Sequence, residues 1–567
     1  MDKNKQTPER VWKEYQRGID FNDAIRLDDT VKANENFFIG KQWEGVQANG
    51  LPTPVFNFLK RVTLFQVASI TSDNIKMQAS PMGITVDRES VQTMADIVNK
   101  EFEALFEQNK IPILLREYLR NAAVDGDGCL YSYWDPEVET GQPNKGAVVT
   151  ELVENNRVYF GNPNDRRVQK QPYILISSRE MLDSVKDRAR EYGENAEDIR
   201  TDEDPRNVYG VDPFRTDDKV TVVLKLWRDK ETKHIWGFEC TKDCVVRKPW
   251  DMELTLYPIT WLNWDYIQDC YHGQALITGL IPNQIFVNKA YAMSMISLMS
   301  SAFPKTVYDK TRVANWDNRV GGAIGVNGGD VTQVAKIIEP AQISPQIAQF
   351  IQLAVDQTQT FLGATSAAMG DTRPDNTSAI IALQRASSVP SEITKQNLYQ
   401  SVEDLGRIYV DFMPGYYGKR MVERDVPGKA DPAMLAFAGI DPEQPMIVEF
   451  DFAKLRDAHF TIKLDVGASS YWSEIASMQT LDSLLQQGLL SLEDYLDRVP
   501  DGFILKRREL LEKIRSRAAA PQAPAQPQGG GGSPMAGSPQ AQAIPTGGGY
   551  SALQRKINET GEIPPAQ

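Results

Sequence analysis

Apolar positions recur at helical spacing through the first 125 residues and then give way to the alternation expected of strands. From about Thr7 to Asn36 the chain is charged and helix-permissive, Gly40 reads as a helix stop, and Trp43 follows as an aromatic anchor. Beyond the breakers Pro52 and Pro54, the residues Phe58, Val62, Phe65 and Ile70 keep to one helical face, closed by Ser72, Asp73 and Asn74. A loop at Pro81 and two further amphipathic helices between Val86 and Val124, split near Lys110 to Pro112, are expected next. The turn-rich VDGDGCLYSYW then opens a mainly β stretch reaching about Tyr271. AVVTELV, PYILISS, VTVVLKLW and CVVRKPW supply β-branched and aromatic strands, SSREMLDSVKDRAREYG reads as an inserted helix, and ENAEDIRTDEDPRN as a solvated acidic loop.

From Gly273 the pattern changes again. ALITGLIPNQIFVNKAYAMSMISLMSS reads as one helix of about 27 residues, some 40 Å long at 1.5 Å per residue, apolar on nearly every side. Such a helix must be surrounded, by a large core or by copies of itself. Met293, Met295 and Met299 fit packing of that kind. Pro282, Asn283, Gln284, Asn288 and Lys289 interrupt the apolar run, so no transmembrane helix is predicted. PKTVYD and GGAIGVN look like two short strands around a helical VANWD. A second helix starts at Ser344 as N-cap with Pro345 at its first position. ATSAAMGDTRPDN is a loop by composition, and a long helix runs from Asn376 to about Phe412 with a kink expected at Pro390. HFTIKLDVG is a strand, followed by helices bounded by Gly488 and Pro500. The Pro/Gly-rich segment from Ala518 carries no charge as far as Gln554 and reads as a disordered tail.

Composition narrows the function more than it narrows the fold. The 567 residues imply several substructures. A net charge of −14 has the wrong sign for static binding to nucleic acid. Four cysteines and no apolar leader segment suit a reduced, cytosolic site of assembly. Three histidines, with no GxSxG or HExxH pattern, leave little material for an enzyme, and GGAIGVNGG lacks the Lys-Ser or Lys-Thr of a phosphate loop. Cys240, Cys244, Cys270 and His272 lack the paired spacing of a zinc site, so inert buried thiols, no metal and no cofactor are expected.

The order of these segments resembles the portal proteins of tailed bacteriophages, the larger portals of short-tailed phages above all. NFFIGKQW followed by PTPVFNFLKRVTLFQVASI is similar to the family's N-terminal signature, YHGQALITGLIPNQIFVNKAYAM to the segment that opens its stem, and FLGATSAAMGDTRPDNTSAIIALQRA to its channel loop and following helix. The likeness covers about residues 10 to 515. It implies a mainly helical α+β portal fold assembled as a ring of about twelve copies. The wing would occupy 1–272, with a further wing helix and strands over 378–464. The stem would be 273–301 and 344–362, the clip 302–343, the tunnel loop 363–377, the crown-side helices 465–517 and the disordered tail 518–567.

The resemblance further implies a non-enzymatic channel for double-stranded DNA at one capsid vertex of the virion, built in the host cytoplasm. Its partners would be the major capsid or scaffolding protein, the terminase large subunit and then neck or tail adaptor proteins. Thr372, Arg373 and Asn376 of the tunnel loop become candidates for contact with DNA, and Lys305, Lys310, Arg312 and Arg319 candidates for docking at the clip. Two competing classes are another head–tail adaptor or minor capsid protein, and a metal-dependent nucleic-acid enzyme built on the acidic loops.

Overall fold

Left-handed residues and glycines divide the N-terminal helices. In the computed structural model, which describes residues 6–47, 50, 52–72, 75–82, 88–202, 218–302, 306–317, 324–337, 345–361, 363, 389–424, 446–466, 478, 481–487, 490–499 and 510, the first charged segment is two helices rather than one. They are α1 (Pro8–Ala24) and α2 (Leu27–Ile39), broken where Arg26 turns to a φ of +54°. Gly40 ends α2 at a φ of +97°, a conformation that costs glycine least. After α3 (Phe58–Ile70) comes a strand the helical pattern concealed, β1 (Ile75–Pro81), where only a loop is expected from the sequence. Then follow α4 (Arg88–Gln108) and α5 (Ile111–Asp125), divided at Lys110 as predicted.

The β-rich lobe holds two antiparallel sheets. β2 (Asp127–Asp135), β3 (Ala147–Val153) and β9 (Ile259–Asn263) form one in the order β3-β2-β9. The other runs β4-β5-β6-β7-β8, from β4 (Val158–Phe160), β5 (Tyr173–Met181), β6 (Lys219–Arg228), β7 (Ile235–Cys240) and β8 (Val245–Leu254). The inserted helix α6 (Leu182–Glu191) packs its Val185 and Ala189 with Ala196 and Ile199. The acidic segment after α6 is therefore not wholly solvated: it buries Ala196 and Ile199.

Beyond the lobe stand α7 (Leu276–Ala302) and α8 (Pro345–Phe361), with β10 (Thr306–Tyr308) paired to β11 (Ala335–Ile337) between them. The long helix is α9 (Glu392–Tyr416), entered through a short 3-10 turn at Val389–Ser391. Leu398, Val402, Leu405, Tyr409 and Phe412 give it a stripe at helical spacing. All five are buried in the main core with side chains of α4, α5 and the three-stranded sheet, at about 1.5–3 kcal/mol for each large apolar side chain. Tyr409 bonds Thr150, which bonds Ser132, so the helix is also tied to β3 and β2 by a fully buried hydroxyl chain. β12 (Lys419–Arg424) pairs with β13 (Met446–Asp451), and β14 (Phe460–Val466) returns to pair with β1 across almost 400 residues of chain.

The chain divides into two compact units, Met1–Ser477 and Met478–Gln567. In the second, the described residues include α10 (Leu492–Arg498), where Leu496 and the following Val499 are buried and Tyr495 donates to Asp482. The predicted tail over 518–567, the boundary residues Gly488 and Pro500, and the expected N-cap Ser344 lie outside the described residues.

Candidate functional site: the projecting hairpin and its root

Helix α7 begins in a small core with Phe38, Leu59 and Val124 through Ile277, and farther along it meets α8. They touch through Val287, Ala290 and Ile351, with Tyr291, Ala354 and Val355 around them. The outer half of the hairpin then leaves its apolar side chains uncovered: Met293 is 61% exposed, Leu298 64% and Phe350 60%. Large apolar side chains left exposed together on one element mark an interaction site. No helix among the described residues is long and apolar enough to cross a membrane.

At its root the same helix is held by polar side chains. Gln284, fully buried, donates to the carbonyl of Phe56 (2.7 Å) and to Asn288 Oδ1 (3.0 Å), and its Oε1 accepts from the amide of Leu59 (3.3 Å). Asn288 donates to Gln42 Oε1 (2.6 Å). Asn34 of α2 reaches both the carbonyl of Val124 (2.8 Å) and Thr278 Oγ1 (2.9 Å). Polar residues that look like mere interruptions of an apolar run are therefore what locks the helix to α2, α3 and the loop between them. Buried amides are tolerated because each finds partners.

One step earlier, Asp127 at the start of β2 gathers three donors from two segments: Asn263 Nδ2 of β9, and His272 Nδ1 with the backbone amide of Gly273, each at 2.7 Å. Gly126, at a φ of +103°, makes this convergence possible, since a Cβ there would stand 2.7 Å from the carbonyl oxygen of Gly273. Beside it Arg120 bridges Glu35 (2.7 Å) and lies 3.8 Å from Asp125. Burial, reinforced by Glu35 and opposed by Arg120, pushes the Asp125 carboxyl up to about 8.

The tip between the helices differs from the sequence reading in two places. The partner of the TVY strand is Ala335–Ile337, not GGAIGVN, whose described residues 324–327 form no strand, and VANWD is not helical. Gly-rich segments lack the side chains that stabilise a pleated pair, whereas Val334, buried at the entry to β11, anchors the strand that does form. Tyr308 stacks on Trp316 with ring centroids 5.0 Å apart, and Asp309 accepts from Thr311. Lys310 is exposed in this turn, and Arg312 lies 3.5 Å from Asp309. Lys305 and Arg319, and the tunnel-loop candidates Thr372, Arg373 and Asn376, lie outside the described residues. Gln284, Asn288, Gln42, Asn34, Asp127 and His272 went unremarked as a set. The available signal was the run of amide side chains inside an otherwise apolar helix.

For metal chemistry, Cys129 and Cys240 are buried and burial pushes both thiols up, away from the thiolate that binds metal. Among the described residues no three His, Cys, Asp or Glu side chains come together as a metal set.

A two-helix hairpin, apolar on its outer faces, clamped at its root and carrying a small β tip, belongs to proteins that work by assembling. Residues 185–426, from α6 through the hairpin into the segment after β12, match the family described as Phage P22-like portal protein. No curated protein matches the chain. The resemblance to tailed-phage portal proteins is thereby borne out, and with it a portal function in a bacteriophage. Portal proteins are structural, and the family implies a homo-oligomer at the capsid vertex of the virion.

Proposed function

We propose that about twelve copies of this chain close into a ring whose axial passage admits DNA during packaging and releases it at ejection. The ring itself catalyses nothing. Its stem is α7 with α8, its clip the segment 302–343, its tunnel loop 363–377 and its crown-side helices 465–517. The clip receives the ATP-driven terminase large subunit first and neck or tail adaptors afterwards, while capsid or scaffolding protein surrounds the wing. Assembly takes place in the host cytoplasm. The observation that carries this reading is the uncovered apolar surface of the hairpin, since only neighbouring copies could bury it on every protomer at once.

Charge supports the same reading. At −14 per copy the assembled wall repels a polyanion instead of holding it. Contact with DNA then falls to a few local groups, for which Thr372, Arg373 and Asn376 are proposed. Lys305, Lys310, Arg312 and Arg319 are proposed for docking at the clip, Arg312 after exchanging its ion pair with Asp309. Native mass spectrometry with negative-stain imaging tests the ring. An assembly near twelve copies with an open channel of at least about 20 Å, the width a duplex needs, is expected. A stable monomer, or an assembly with a filled centre, would refute it.

A further inference from the structure

Among the described residues, two strand edges stand open on opposite flanks of α4. Asn99 of α4 bonds both the amide (2.6 Å) and the carbonyl (3.2 Å) of Ala79, so these groups point away from β14. Paired residues of an antiparallel ladder alternate in direction. The backbone groups of Met77 and Ile75, at the same parity, therefore also face outward, and among the described residues nothing bonds them. They face a groove of about 830 Å³ with Phe102, Phe106, Pro112 and Ile113 in its walls.

The same logic opens β13. Gln142 bonds the amide (2.9 Å) and carbonyl (3.0 Å) of Met421, so Met421 and its partner Glu449 do not bond each other. Glu449 and Ile447 consequently present their backbone groups on the far edge of β13. Ile447 is 71% exposed, an apolar side chain on an edge strand whose far side no described residue pairs, a site suited to a partner.

The α4 residues beside the β1 groove are Asn99, Phe102, Glu103 and Phe106, whereas those beside Arg420 of β12 are Glu101, Ala104, Leu105 and Gln108. At 100° per residue these sets centre about 180° apart around the helix. A protomer thus carries one open edge on each flank, the arrangement a head-to-tail ring contact requires. Lys76 and Lys110 line the β1 groove together with Glu103 and Glu107, and on β13 Glu449 pairs with Lys419 of its own ribbon (3.2 Å), so the backbone edges and not charge carry the pairing.

We infer that the open edge of β1 receives the open edge of β13 from the neighbouring copy, joining two ribbons into one four-stranded sheet β12-β13-β1-β14 across each subunit boundary. This rests on the ring proposed above and adds to it a second, backbone-mediated contact away from the stem.

A parallel join sets a residue whose backbone groups bond the neighbour opposite one whose groups do not, so Lys76 and Ile447, both exposed, share a face and cysteines there would stand opposite each other at a separation a disulfide can span. Lys76→Cys chains are co-expressed with Ile447→Cys chains, Gln78→Cys serves as the alternative register, and the assemblies are oxidised. A disulfide dimer is expected in the mixture, with none from any single variant or from the unsubstituted chain carrying its native cysteines. Rings that form by native mass spectrometry yet give no mixed dimer with either cysteine would overturn the edge pairing and leave the ring standing. Dimers from Lys76→Cys alone would also overturn it, since a head-to-tail contact cannot bring two copies of that position together. Absence of rings altogether would remove both proposals.

Discussion

Replacing Gln284 by Leu tests whether polar clamping, not apolar packing, holds the root of α7. The side chain is fully buried, and leucine fits the space without supplying a donor or an acceptor. Three groups lose their partner: the Phe56 carbonyl, the Leu59 amide and Asn288 Oδ1. A buried polar group left unmade costs about 1–3 kcal/mol, and the extra apolar burial returns a part of that. The net loss is about 3–5 kcal/mol. A chain of several substructures does not unfold in one step, so a global midpoint would blur the effect. Hydrogen exchange read by mass spectrometry resolves it locally. At 1.4 kcal/mol per decade, amides in the first turn of α3 and in α7 around residues 284–290 should exchange roughly a hundredfold to a few thousandfold faster. Lys289→Ala, on the exposed side of the same turn, should change exchange by less than about threefold, as surface substitutions do. If Gln284→Leu behaved like Lys289→Ala, the clamp would contribute nothing and the hairpin would be held by its apolar contacts alone.

Asp125→Asn should gain stability over the unsubstituted chain as pH rises. The folded chain keeps a proton on Asp125 that the unfolded chain has already released between about pH 4 and pH 8, so the unsubstituted protein loses stability across that window. The variant's advantage should grow to the order of 2–5 kcal/mol at pH 8 and then level off, as thermal melts across pH would reveal; a constant difference would contradict the raised carboxyl. Leu298→Glu with Phe350→Glu should leave circular dichroism unchanged and shift the native mass from ring to monomer, since each lost apolar contact costs about 1.5–3 kcal/mol per boundary. Gly126→Ala adds a Cβ 2.7 Å from the Gly273 oxygen at a φ of +103°, so a loss of at least about 2 kcal/mol is expected as a lower melting temperature. Arg373→Ala, in rings of normal mass, should package DNA measurably less well than the parent; unchanged packaging would count against its place at the channel.

Elements whose burial follows their own periodicity were legible from the sequence. The interval 276–302 announces one helix, because its apolar content leaves no strand alternation and its breakers, Gly279 and Pro282, both fall in the first two turns. AVVTELV matches β3 residue for residue. β1 was illegible: IKMQASP has two exposed polar residues, a Pro at its end and no turn pair, and it is a strand only because β14, hundreds of residues away, supplies its ladder. The tip misled for a related reason. GGAIGVN has a strand-like centre, but the partner of Thr306–Tyr308 is chosen by which strand can be anchored against the tip's own small core of Val313 and Val334, a tertiary fact that local pattern does not contain.

The candidate site was half legible, and the division has a physical cause. Apolar excess is additive along a sequence, so a helix that cannot be covered by its own chain shows itself as composition, and an assembling hairpin follows from it. A polar clamp is a matter of pairs: Gln284 with Phe56 and Leu59, Asn288 with Gln42, Asn34 with Thr278, each joining segments up to about 250 residues apart. No window of sequence holds both members. What a window does hold is the anomaly, amide side chains at positions where leucine would lower the cost of burial. In a helix that must be covered on all sides, such a residue survives only where a fixed neighbour satisfies it, so Gln284 and Asn288 mark the end of α7 that its own chain grips, and the Met-rich half beyond them is the end that the proposed ring assigns to other copies.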